Sequence, residues 1–344
     1  MSMPMARGIG TAVALALLAA ACGGSGEPED RTVTLLTHDS FSVPSEVLEA
    51  FTAETGIEIE LLALGDAGQL VSQAVLTVDD PLGDVLFGID NTFLQRGLDA
   101  ELFVPYESAR LGGVIEELRL DPGHRVTPID YGDVCLNYWI DALDTEPPES
   151  LDDLLDPAHA DQLVVESPET SSPGLAFLLA TIATYGDGWE DYWAGLRANG
   201  VAVTSGWEDA YYGEFVAGGG SRSIVVSYAT SPPAEVIFAA EPIDSPPTGV
   251  VTESCFRQVE FAGILRGTPR VGAAQRLIDF LLSPEFQESV PLSMFVFPAV
   301  EATPLPREFV DHVAPVDEPL SLDPAAIEAN RDAWTERWVE IVLR

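Results

Sequence analysis

TSGWEDAYYGEFVAGGGSRSIVVSYATSP, residues Thr204 to Pro232, joins two pieces with different physics. Trp207, Tyr211 and Tyr212 belong to a helix that starts behind Ser205-Gly206, and Trp207 and Tyr211, four apart, share a face of it. Gly218-Gly219-Gly220 breaks the chain. Ser223 to Val226 then reads as a short buried strand that runs out into Ser227-Tyr228-Ala229-Thr230-Ser231. Pro232 opens the next helix. Hydroxyls and an aromatic ring at the carboxyl end of a strand stand where open α/β sheets keep their ligand crevice. Ring faces beside small donors suit a flat, cationic ligand, at about 0.5–2 kcal/mol per cation–ring contact. An amphipathic helix that buries its aromatics in a core is the alternative reading of the same stretch.

Working outward, the amino-terminal part alternates strands and helices. Arg31–Thr37 is a strand, Ser45–Thr55 a helix stopped by Gly56, Ile57–Ala63 a strand, Asp66–Leu76 a helix, and Asp84–Gly88 a third strand. The β-α-β-α-β order predicts a parallel sheet with helices on both faces. Two long extended runs follow, near 127–138 and 253–264, and they bracket a middle α/β block. That block holds a strand at Leu163–Val165, a hydroxyl loop Thr170-Ser171-Ser172-Pro173-Gly174, an apolar helix Leu175–Tyr185 and the opening stretch. A helix spans Pro269–Leu282, another begins at Ser283, Pro291–Pro298 is an apolar loop, and a last helix runs from Pro324 to Leu343. The organisation is two lobes joined by two crossing strands, with no internal repeat.

Composition sets the address. The first 21 residues carry Arg7 and an apolar run too short to cross a bilayer, ending in Leu17-Leu18-Ala19-Ala20-Ala21-Cys22-Gly23. Small residues before a cysteine resemble the lipobox of bacterial lipoproteins, so Cys22 is the expected lipidation site; a plain secretory signal is the alternative. Residues 22–31 form a flexible tether. Without residues 1–21 the charge is 15 − 56 = −41, and the sequence contains no lysine. Such a field excludes nucleic acid and anionic lipid surfaces as partners and favours cations. Cys135 lies in the first extended run and Cys255 in the second. Side by side in an oxidising compartment they would form a disulfide, with two separate buried thiols as the alternative. His38, Asp39 and Ser40 tempt a reading as a hydrolytic triad, but neighbours in an extended chain point to opposite faces and cannot converge. No histidine or cysteine cluster has metal-site spacing.

Several segments together resemble one family. They are Thr37-His38-Asp39-Ser40-Phe41, Asp84 to Asn91, Asp130-Tyr131-Gly132, Thr170 to Leu175, Gly206-Trp207 with Ala210-Tyr211, Ser227 to Pro232, Gln258-Val259-Glu260 and Ser283 to Gln287. The chain resembles type II periplasmic solute-binding proteins, and within them the thiamine-binding proteins of ABC importers. The resemblance implies an α/β fold of two lobes joined by two hinge strands with a ligand cleft between them. Lobe 1 would be 32–130 with 262–303, lobe 2 137–254, the hinges 131–136 and 255–261, and 304–344 a carboxyl-terminal extension. It implies thiamine, or its mono- and diphosphate, as ligand, with no cofactor, no metal and no catalysis. It further implies an ABC permease as partner, a monomer, and membrane contact through the lipid alone. The ligand contacts it implies are His38, Asp39, Ser40, Asp90, Asn91, Ser171, Ser172, Trp207, Tyr211, Tyr228, Ser231 and Phe295. His38 stands where relatives often have Tyr, Ala234 where some have another Tyr, and Phe295 where some have Trp. Rival readings are a ferric ion, a polyamine or another small solute on the same fold, and an exported enzyme. Iron-binding relatives use two adjacent tyrosines after this strand, where Ser227-Tyr228-Ala229 offers one.

Overall fold

β1 (Thr32–Thr37), α1 (Ser45–Thr55), β2 (Glu58–Ala63), α2 (Ala67–Leu76) and β3 (Val85–Asp90) open the computed structural model, which describes residues 31–143 and 145–344. Cys22, the signal segment and the tether lie outside the described residues. α1 ends at Gly56, whose φ of 71° is in the left-handed region that glycine enters without strain. α2 starts at Asp66, whose carboxylate accepts from the Ala67 N–H at 2.6 Å. β2, β1 and β3 pair in parallel, and every residue of β3 is buried, as its unbroken apolar run requires.

α3 (Leu94–Asp99) and β4 (Phe103–Val104) lead into the long β5 (Thr127–Trp139). The middle block follows as β6 (Leu163–Glu166), α4 (Ser172–Tyr185), α5 (Trp189–Ala198), β7 (Ala202–Thr204), α6 (Trp207–Asp209), β8 (Ile224–Tyr228) and α7 (Pro232–Ile237). β9 (Thr248–Leu265) returns the chain along β5. The remainder is α8 (Val271–Leu281), α9 (Pro284–Ser293), β10 (Phe297–Pro298), α10 (Arg307–His312) and α11 (Pro324–Val342).

The strand order is β2-β1-β3-β9-β5-β8-β6-β7, with β4 on β9 and β10 on β5. Two parallel trios are thus joined through two antiparallel strands. The parallel expectation is met inside each trio and corrected at its inner edge, where β9 meets β3 and β5 meets β8 antiparallel. A single long strand that leaves one trio and one that comes back must run in opposite senses. β5 and β9 stay paired from Thr127 to Trp139, with register shifts at Pro128/Asp130 and Val134/Leu136, irregularities that bend and twist a ladder. A disulfide joins Cys135 to Cys255 beside the second shift.

Two local readings are corrected. The segment after Trp207 is not one regular helix: α6 passes into a wide π-helical turn, Ala210–Glu214, closed by Phe215 N–H to Ala210 O at 2.9 Å. The segment from Pro291 is not loop at its start, because α9 continues through Pro291 to Ser293. Val290 and Pro291 are buried there, and that packing outweighs the missing amide. α11 lies across the back and touches both trios. Trp338 meets Trp193 of α5 edge-on at 5.3 Å, and the Arg331 guanidinium sits 5.6 Å from the Phe93 ring beside α3.

Candidate functional site

The carboxyl ends of the parallel strands on both sides of the β5–β9 pair open into one cavity of about 490 Å³, a usual size for a small-molecule site. Its aromatic wall comes from the opening stretch. Trp207 stacks on Tyr211 with ring centroids 5.0 Å apart, and Tyr212 meets both rings edge-on at 5.4 Å. Trp207, Tyr211 and Tyr228 are each held by a polar tip. The Trp207 indole N–H donates to Ser227 Oγ at 3.0 Å, Ser227 and Ser231 share a hydrogen bond of 2.8 Å, and Tyr211 O–H donates to Glu235 at 2.6 Å. Tyr228 O–H donates to Gln258 Oε1 at 3.0 Å. A Cβ at Gly132 would sit 2.9 Å from the Tyr228 ring, so only glycine lets that ring lie flat on β5. Tyr211 is also core, buried with Phe215 and Val225. Both readings of the aromatics therefore hold together: one face packs, the other lines the cavity.

The opposite wall brings His38, Ser40 and Asp66 from the β1–β3 side and Phe295 from the turn after α9. Phe295 has φ 55° and packs against Phe238 and Phe309. His38 rests on Gly88, at φ 104°, where a Cβ would come 2.4 Å from the imidazole. Its Nε2 lies 3.4 Å from Glu260 Oε1. Burial opposes the charged imidazole, but Glu260, then Asp66 and Asp39, raise it above its ordinary value.

Asp66 bridges the cavity. Besides capping α2, it accepts from Ser172 N–H at 3.2 Å and from Trp207 N–H at 3.0 Å, at the amino ends of α4 and α6. Amide groups at helix starts have no partner within the helix, so a carboxylate is favoured there. Asp90, at the end of β3, accepts from Ser172 Oγ at 2.7 Å and from Thr92 Oγ1 at 2.6 Å.

Of the twelve expected contacts, His38, Ser40, Ser172, Trp207, Tyr211, Tyr228, Ser231 and Phe295 line the cavity. Four do not, and each has a physical reason. Asp39 is exposed, because it stands in the turn that follows β1, on the solvent side. Asp90 is sealed beneath Ser172. Asn91 spends its amide on β9, donating to Arg257 O at 3.0 Å and accepting from Val259 N–H at 2.8 Å. Ser171 is fully buried at the start of α4. Sequence reasoning missed Asp66, Glu208, Glu235, Phe238 and Glu260, all of which line the cavity. Asp66 and Glu260 carried weak signals, a helix cap and a family segment. Among the described lining residues the acids are Asp66, Glu208, Glu235 and Glu260, and the base is His38 alone. Such a wall attracts a cation and offers it ring faces. No group of His, Cys, Asp and Glu among the described residues is arranged to hold a metal ion, and no described helix is long and apolar enough to cross a membrane.

Residues 80–317 match the family of bacterial extracellular solute-binding proteins. The chain is 31% identical to the thiamine-binding periplasmic protein of Escherichia coli (strain K12) and 30% identical to that of Salmonella typhimurium. Each alignment covers 91% of this chain and 94% of the relative. A solved periplasmic thiamin-binding protein superposes with a TM-score of 0.82 at 28% identity, over 93% of this chain and 98% of the other.

Proposed function

The chain belongs to the bacterial extracellular solute-binding proteins and, within them, to the thiamine-binding periplasmic proteins; we propose that it captures thiamine outside the cytoplasm and delivers it to an ABC permease. One observation carries the reading to this chain's own residues: a cavity with stacked Trp207 and Tyr211 on one side and four acids around a single base. Thiamine has a permanently charged thiazolium and a flat aminopyrimidine. Ring faces suit both, and carboxylates neutralise the one and accept from the amine of the other.

Two lobes, 32–130 with 262–303 and 137–254, would hinge on 131–136 and 255–261. The bonds from Asp66 and Asp90 to the starts of α4 and α6 would hold them closed. The closed form is what a permease would recognise, and no bond in the ligand need change. Cys22 would carry the lipid that keeps the protein at the membrane.

Titration with thiamine is expected to quench tryptophan fluorescence, since Trp207 would stack on the ligand, and to raise the melting temperature. Thiamine monophosphate and diphosphate belong in the same panel. Absence of both heat and stabilisation up to about millimolar ligand would reject the assignment.

A further inference from the structure

Three carboxyl groups cross the sheet in one row beneath the cavity. Asp90 on β3 and Asp130 on β5 are both register partners of Glu260 on β9. Residues directly opposite on neighbouring strands project on the same face, so the three groups are neighbours. Asp90 and Asp130 are sealed from solvent. Asp90 is occupied by Thr92 and Ser172, whereas neither oxygen of Asp130 has a well-formed hydrogen bond. Glu260 is the member of the row that reaches the cavity.

Three adjacent carboxyls cannot all ionise. Burial, then the proximity of Glu260, pushes Asp130 well above the usual carboxylate range, which favours its protonated form. Burial alone would raise Glu260 too, but the His38 charge beside it holds it below its ordinary value. The groups facing His38 are all acids: Glu260 from β9, Asp39 from its own segment, Asp66 from the start of α2 and Glu208 from α6. β3 presents the Phe87 ring to it at 5.9 Å, and the backbone of Gly88. The cavity floor therefore sets the His38 imidazole 3.4 Å from the Glu260 carboxylate, an arrangement that favours the imidazolium. Nε2 of His38 makes no directed hydrogen bond, so charge rather than bonding geometry holds the pair.

We propose that Glu260 is the counter-ion of the ligand's cationic ring, and that the ligand takes the place of the His38 charge, the imidazolium releasing its proton to solvent as the cation arrives. The inference rests on the thiamine reading above. Charge balances: one positive charge enters with the ligand, one leaves as a proton, and Glu260 stays a carboxylate throughout. Two cations beside one carboxylate repel each other. The neutral imidazole remains as a flat face on the ligand. Affinity for the cation then rises with pH while His38 is protonated in the free protein, and levels off once it is not.

Calorimetry of thiamine binding between about pH 6 and about pH 8.5, in paired buffers of different ionisation enthalpy, tests this. The wild type is expected to release up to about one proton per thiamine at the acidic end, with a Kd that falls by up to about tenfold per pH unit and then flattens. His38→Asn is expected to release none, to show a Kd flat in pH, and to bind more tightly than wild type at the acidic end. Glu260→Gln is expected to bind at least about tenfold more weakly, with melting temperature and circular dichroism as the check on folding. Bound thiamine with buffer-independent heat and a pH-flat Kd in the wild type overturns the inference alone. So does wild-type affinity in Glu260→Gln. No binding of thiamine at any pH overturns the ligand reading and this inference with it. If Glu260→Gln does not fold, the wild-type buffer pairs and His38→Asn decide.

Discussion

Trp207 shows what a single residue does in this cavity. Its indole is oriented by Ser227 and backed by Tyr211, so its stacking face is set before a ligand arrives. Trp207→Ala should leave the protein folded, since the ring is only half-buried, and weaken thiamine binding about five- to thirtyfold. Titration calorimetry checks it, and unchanged affinity would confine the aromatics to a packing role. Asp90 carries a different prediction. Burial pushes its carboxyl up to about 6, against the hydrogen bonds from Thr92 and Ser172. A raised folded-state pKa means the folded chain holds the proton more tightly than the unfolded chain. The resulting stability is fully present below about pH 4 and is lost as pH rises through about 6. Asp90→Asn cannot titrate, so wild type should lose about 2–3 kcal/mol relative to it between about pH 4 and about pH 7. Urea unfolding at the two pH values measures the difference, and a gap that does not change with pH would refute it.

At the scale of elements, the informative object is the meeting of three helix starts on one carboxylate. Asp66 caps α2 through Oδ1, which also accepts from the Ser172 amide of α4, while Oδ2 accepts from the Trp207 amide of α6, both from the far side of the cavity. Asp66→Ser separates the two roles. A serine still caps α2, but its hydroxyl is too short to reach Ser172 and Trp207. Stability should change little, while the ligand-free protein should expand in small-angle scattering and bind thiamine about tenfold or more weakly, having lost charge-assisted bonds across the cavity. Wild-type dimensions together with wild-type affinity would contradict a latch. The individual elements were largely legible in the sequence. α1 begins and ends at the expected residues because Pro44 and Gly56 mark its limits. The misread pieces, the π turn after α6 and the end of α9 at Pro291, are those where packing outweighs local preference.

On the scale of the molecule, β5 and β9 are the spine. One parallel trio pairs along each edge of them, and the Cys135–Cys255 bridge ties them across a separation of 120 residues. Replacing both cysteines by serine should lower the unfolding free energy by up to about 4–5 kcal/mol in the chain-entropy model, and by less if the unfolded chain keeps structure. Thiamine affinity should be retained, because neither sulfur borders the cavity. An unchanged unfolding midpoint would show that the bridge adds no stability.

The sequence by itself determined the class of fold. Strand and helix alternation, two long extended runs and strand ends rich in hydroxyls follow from local periodicity and turn chemistry, which act over a few residues. It also determined which aromatics share a face, since Trp207 and Tyr211 are one helical turn apart. Only the tertiary structure decided the acids. Asp66, Glu208, Glu235 and Glu260 come from four separate elements, and no local rule tells an acid that faces a cavity from one that faces water. The same holds for Asp90 and Asn91, which read as site residues yet are turned inward by Ser172 and by the backbone of β9. Which way a carboxyl points is settled by the strand it is paired with. For Glu260 those partners, Asp90 and Asp130, lie 170 and 130 positions away along the chain.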